Sequence, residues 1–172
     1  MATKKTSMFT LTERITCTST SETFATIDLG SYVDVGDRQA LQVHSVDFIF
    51  QGATGGGSPT ASMGGTGNVF VQVTDLNRGG LVFADDRALV ASATLSYDTD
   101  GFLSEAADLY PDNYGKGSDD GRFVVNDQLY IVAKSNPLAN DLNVTVRVNA
   151  SIVSLTAKDF MAIAIQSTAA DN

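Results

Sequence analysis

Leu142-Asn143-Val144-Thr145-Val146-Arg147-Val148-Asn149-Ala150-Ser151-Ile152-Val153 sets the fold class of this chain. From Leu142 to Ile152 every even position is apolar, and Asn143, Thr145, Arg147, Asn149 and Ser151 between them are polar. Successive side chains of a strand point to opposite faces, so the pattern predicts one face in a core and the other in water. Asn and Arg do not suit a sheet buried on both sides. The run is also longer than the usual five or six residues of a strand. Both features predict an antiparallel sheet in a two-layer β-protein.

The same period recurs upstream. Phe9, Leu11, Ile15 and Cys17 alternate with Thr10, Thr12, Arg14 and Thr16, and Thr23 to Leu29 reads as a second strand. Leu41 to Gln51 reads as a long strand whose phase slips: Leu41 and Val43 are odd, whereas Val46, Phe48 and Phe50 are even. A bulge near His44-Ser45 reconciles the two halves. Val69, Val71 and Val73 define a further strand. Leu81 to Phe83 and Ala88 to Leu95 read as short ones, and Arg122 to Val125 and Leu129 to Ala133 as a hairpin over Asn126-Asp127. Two long loops interrupt the series. Gly52 to Gly67 holds seven of the fifteen glycines, and Tyr97 to Gly121 is rich in Asp, Gly and Tyr, with a short helix predicted at Leu103 to Leu109. Thr156 and Asp159 have the spacing of a capping box, which predicts a C-terminal helix from Thr156 to Ser167, although Ile163-Ala164-Ile165 equally suits a strand. The count is about eight strands with large loops. The prediction is therefore an all-β antiparallel sandwich of jelly-roll type: an N-terminal arm at residues 1–7, then one domain at 8–172.

Composition narrows function by exclusion. A chain of 172 residues buries enough surface to need no disulfide or metal staple. The net charge is −9, and the acid is mostly Asp, with Glu only at 13, 22 and 105. Asp favours turns, so the acid belongs to a loop-rich β-protein; salt adaptation or divalent ions between loops is the sharper reading. Binding nucleic acid through its phosphates needs clustered Lys and Arg, and Lys4-Lys5 is the only such cluster. Lys4-Lys5 is followed by Thr6-Ser7-Met8-Phe9-Thr10 rather than an apolar run, so neither a signal peptide nor a membrane helix is expected. Cys17 is the lone cysteine and falls on the apolar phase, as a buried packing residue would.

No catalytic set is legible, and no enzymatic activity is expected. His44 is the sole histidine, with no second His or Cys to help it bind zinc, and it sits mid-strand. Gly-x-Ser-x-Gly is absent, and the Gly-rich loop lacks a following Gly-Lys-Ser/Thr and a helix. Asp98-Thr99-Asp100-Gly101 is the best ion candidate, with Ser96, Asp98 and Asp100 at EF-hand-like spacing. The closing Glu is missing, since Ala107 stands there, so Asp112, Asp119 and Asp120 would have to complete a looser calcium site. No other cofactor is expected. Asn143-Val144-Thr145 and Asn149-Ala150-Ser151 match the glycosylation pattern but lie within a strand, where chance matches are the simpler reading.

An acidic, Trp-free sandwich with a short polar arm (Met1 to Ser7), two long loops and a long final strand resembles the single jelly-roll coat proteins of icosahedral viruses. The resemblance spans the whole chain as architecture and rests on no residue motif. It implies a self-assembling capsid protein of the virion, made in the host cytoplasm, that forms or decorates a shell with copies of itself and other capsid proteins. Members that package naked nucleic acid often carry a basic arm. With only Lys4-Lys5, this arm is not strongly basic, which implies no direct nucleic-acid contact and points to shells enclosing an internal membrane, or to a minor or decorating role. Independently, the uncharged threonines Thr10, Thr12, Thr16 and Thr18 suit a subunit interface, because covering them desolvates no charge. Two rival classes are a glycan- or ligand-binding attachment module, with Tyr97, Tyr110 and Tyr114 as contacts, and a small hydrolase using paired Asp residues.

Overall fold

The computed structural model describes residues 2–63, 66–98, 100–107, 121–136, 138 and 140–168. Ten strands and one helix occur among them: β1 (Thr3–Lys4), β2 (Phe9–Cys17), β3 (Glu22–Asp28), β4 (Gln39–Gly52), β5 (Gly67–Thr74), β6 (Leu89–Tyr97), β7 (Leu103–Ala107), β8 (Arg122–Val124), β9 (Gln128–Asn136), β10 (Leu142–Ser154) and α1 (Ala157–Thr168). All described pairings are antiparallel.

The pairings give the topology. Leaving aside the short β1 and the edge strand β7, eight strands remain. The first pairs with the last (β2 with β10), the second with the seventh (β3 with β9), the third with the sixth (β4 with β8) and the fourth with the fifth (β5 with β6). This is one long hairpin rolled into two sheets, the jelly roll expected from the sequence. Two further pairings close the roll, β10 with β4 and β9 with β5. The first sheet runs β2-β10-β4-β8, with β1 beside the far end of β10, and the second runs β3-β9-β5-β6-β7.

The core lies between the sheets. Leu142, Val144, Val146, Val148 and Ala150 of β10 face Val69, Val71 and Val73 of β5 and Leu129 and Ile131 of β9 within one buried cluster. The phase slip of β4 is a bulge, as its pattern predicts: Ser45 pairs with Asn149 and Val43 with Ala150, which leaves His44 as the extra residue. Past the bulge the outer face is buried as well. There α1 lays Phe160 over Ala40, Val153, Leu155 and Val125, with Ile163 and Ala164 packed at its margin. The alternation of β10 therefore ends at Ser151, which is buried on the outer face. Thr156 caps the helix: its hydroxyl accepts from the Asp159 N–H (3.2 Å) and donates to Asp159 Oδ2 (2.7 Å), which holds the Asp159 carboxyl below its ordinary value.

Several local expectations are corrected. Arg122–Val125 and Leu129–Ala133 do not form a hairpin. β8 pairs with β4 in the first sheet and β9 with β3 and β5 in the second, so Asn126-Asp127 crosses between layers. Leu103 begins a strand rather than a helix, because β7 extends the second sheet beyond β6. Leu81-Val82-Phe83 belongs to no strand; side-chain bonds hold it instead. The Gly-rich loop contains a short 3-10 turn, Pro59–Ser62, in which the Ser58 side chain accepts from the Thr60 N–H. The polar arm is docked at its middle, with Thr3 and Lys4 pairing with Ser154 and Val153.

Candidate functional site

The two outer faces of the sandwich differ in chemistry. That of the first sheet is a ladder of polar side chains bonded to one another. Thr10 donates to Asn149 Oδ1 and Thr16 to Asn143 Oδ1, each at 2.8 Å. Asn149 in turn donates to Ser45 Oγ (2.9 Å) and Asp47 Oδ2 (3.2 Å). Thr10, Thr12, Thr16 and Thr18 are all exposed, on or just beyond β2, so they are brought to one edge of this sheet. Both asparagines of the glycosylation-like triplets are members of the ladder.

The outer face of the second sheet is of another kind. Register places Phe24 opposite Val132, and Val132 opposite Gln72; Phe70 lies opposite Lys134 on one side and Thr94 on the other. Phe24 is 55% exposed and Phe70 37%. Lys134 is neutralised by Glu22 at 3.0 Å across the edge of the face. The segment linking β5 to β6 folds back beside this face. Gln72 fixes it with two bonds to one residue, accepting from Val82 N–H (2.8 Å) and donating to Val82 O (2.9 Å). That double bond presents the next side chain, Phe83, to solvent with 87% of its surface exposed. Between Phe83 and the sheet runs a groove of about 230 Å3, whose walls include Phe70, Leu81, Ala84 and Thr94. Sequence reasoning missed this surface because Phe24 and Phe70 occupy polar-phase positions, and phase alone reads them as solvated.

The predicted ion loop is a closed turn. Asp98 Oδ1 accepts from the N–H groups of Asp100 (3.0 Å) and Phe102 (2.9 Å), and Gly101 takes φ 87°. One oxygen of Asp98 is thus committed to the β6–β7 turn. Asp112, Asp119 and Asp120 lie outside the described residues, as do Tyr110 and Tyr114. Among the described residues no group of three or more His, Cys, Asp or Glu is placed to hold a metal ion.

Three further places carry polar chemistry. His44 Nε2 lies 2.8 Å from Ser151 Oγ, a serine–histidine contact that sequence spacing does not reveal. Ser151 is fully buried, so its oxygen has no path to a substrate in this conformation. Burial, with Lys4 adding to it, holds the imidazole below its ordinary pKa. A polar cavity of about 760 Å3 opens between the Gly-rich loop and Asn140-Asp141, lined by Thr54, Ser58 and Ser62 hydroxyls with no aromatic ring among its described walls. At the other end of the roll, Arg122 points inward from β8 and crosses to the second sheet. It pairs with buried Asp75 at 3.1 Å and donates to the carbonyls of Leu89 (2.6 Å) and Arg87. Asp75 Oδ1 is buried without a donor, and burial raises the carboxyl's pKa against the pull of Arg122.

The comparisons with known proteins yield no match to a protein-family model and none to a curated protein sequence. No helix among the described residues is long and apolar enough to cross a membrane.

Proposed function

We propose that this chain is a structural subunit that assembles with copies of itself, as a viral coat protein forming or decorating a shell. A jelly roll by itself hosts many functions. The observation that carries the reading is the outer face of the second sheet. Phe24 and Phe70 stand in solvent there, and Phe83 is fixed beside them by hydrogen bonds rather than folded onto the core. Exposed aromatic side chains are typical of interface centres, and two of the charges on this face, Lys134 and Glu22, are paired with each other.

The test is size-exclusion chromatography with light scattering, then negative-stain microscopy, across protein concentration and salt and with calcium or chelator. Rings, capsomers or shells are expected. Their loss in chelator would add a role for ions among the Asp residues. A strict monomer under all conditions refutes the proposal and turns attention to glycan binding.

A further inference from the structure

We infer that Phe83 is an assembly knob that seats in the groove beside Phe83 of a second copy, so that two second sheets meet about a two-fold axis. This rests on the self-assembly reading above and names the face that carries it.

The first argument is complementarity. Phe83 is a ridge between two grooves. The one on the sheet side, about 230 Å3, has no ionisable side chain among its described walls; Phe70, Leu81, Ala84 and Thr94 are among them. The one on the far side carries Asp85 and Asp86, where a benzene ring would desolvate carboxylates. The apolar ring therefore fits the sheet-side groove. Ridge and groove adjoin on one molecule, so a two-fold axis beside Phe83 puts each ring into the other copy's groove, an isologous contact in which both halves are satisfied.

The second argument is preorganisation. Val82 is held at both its N–H and its carbonyl by Gln72, so the knob is positioned before any partner arrives and little backbone entropy is lost on association. The third is area. At about 200 Å2 per phenylalanine side chain, the exposed parts of Phe24, Phe70 and Phe83 supply about 350 Å2 per copy and about 700 Å2 per pair. That is more than half of the ~1,200 Å2 at which stable interfaces begin, before the flanking Thr26, Leu81 and Thr94 are added. The fourth is charge. Each copy carries −9, but of the carboxylates near this face Glu22 is paired with Lys134 and Asp86 with Arg78, each at 3.0 Å, which lessens the repulsion between two copies.

The experiment compares the full chain with Phe83→Ala by light scattering and sedimentation over a concentration series, with circular dichroism to check folding. Phe83 is mostly solvent-exposed, so the variant keeps its fold. The expected result is a dissociation constant between copies raised about thirtyfold, the effect of losing a central aromatic anchor. A second measurement fixes the geometry. Phe83→Cys and Thr94→Cys proteins are purified separately, mixed and oxidised; Cys17 is buried and does not interfere. A mixed disulfide between the two chains, formed faster than either homodisulfide, is expected. Assembly unchanged by Phe83→Ala overturns this inference and leaves the coat-protein reading intact. A Phe83→Cys homodisulfide forming fastest places ridge against ridge and also overturns it. A monomeric parent chain overturns both readings, whatever else proves to bind that face.

Discussion

Truncating Arg122 and neutralising Asp75 should have unequal effects, although the two residues form one ion pair. Arg122→Ala leaves the Asp75 carboxylate in the interior without a counter-charge, and it strips the carbonyls of Leu89 and Arg87 of a donor. Removing one partner of a buried pair costs about 3–5 kcal/mol. That is a large share of the ~5–15 kcal/mol that holds a typical domain folded. For a chain of this size it corresponds to a melting temperature lowered by about 8–15 °C. Asp75→Asn is different. The amide keeps the shape and offers Arg122 an oxygen, while the charge that burial penalises disappears. Asp75 Oδ1 has no donor, and the carboxyl's pKa is raised above its ordinary 3.8 because burial outweighs Arg122. A carboxyl whose folded pKa is raised contributes stability that is complete below the unfolded value and is lost as pH climbs through the folded one. The ionised form is therefore held less well in the folded chain than in the unfolded one, and Asp75→Asn, which has no charge to bury, should be within about 1 kcal/mol of the parent or above it. Urea unfolding of the parent and both variants at pH 7 and pH 5 measures this. The gap between parent and Asp75→Asn should shrink at pH 5. If Asp75→Asn is as damaging as Arg122→Ala, the Coulombic attraction dominates and the burial argument is wrong.

Three other outcomes follow from single contacts. Gly121 has φ 124°, and a Cβ there would lie 2.4 Å from Val43 O, so Gly121→Ala should cost at least about 3 kcal/mol and yield mostly insoluble protein; ordinary solubility and melting would refute the steric reading. Burial pushes the Cys17 thiol up to about 12, so a thiol reagent at pH 8 should label it only in denaturant, and prompt labelling of the native protein would show an open path to the core. Thr156→Ala should lower stability by about 1 kcal/mol and speed amide exchange in α1 while β10 stays protected, because it removes the cap without touching Phe160; exchange rising equally in β10 would mean that the helix and sheet open together.

The fold was legible wherever one face of a strand meets the core and the other meets water. β10 and β2 announce themselves by period, and the bulge at His44 is visible because the apolar phase changes on either side of it. Reading failed where structure depends on which strands become neighbours. Arg122–Val125 and Leu129–Ala133 look like a hairpin because a short polar link joins them, yet each finds a partner far away in the chain, Arg122 at Val43 and Leu129 at Ile27. Leu81-Val82-Phe83 looks like a strand because three apolar residues in a row resemble one. The Gln72 side chain supplies the bonds that a neighbouring strand would have made. The Asp75–Arg122 pair spans 47 residues, and no local pattern encodes it.

The functional surface was harder to read for a related reason. Period tells which residues face the core; it is silent about what the other face meets. Threonines on β2 drew attention because they are uncharged, but Thr10 and Thr16 are already bonded to asparagines of β10. Exposed, unshared apolar area lies on the opposite sheet, and it becomes visible only when register puts Phe24 and Phe70 on one face and the Gln72–Val82 bonds bring Phe83 beside Phe70. The −9 charge gives this surface a consequence that a neutral protein would lack. Attraction through an apolar face is nearly independent of salt, whereas repulsion between two acidic subunits weakens as the screening length falls from about 10 Å at 0.1 M to about 3 Å at 1 M. Association should therefore strengthen with sodium chloride. Contact through the polar ladder of the first sheet, where Arg14, Arg147 and Asp47 stand among the threonines, would strengthen less because screening also weakens attractions between these charges, so the size of the salt dependence discriminates between the two faces.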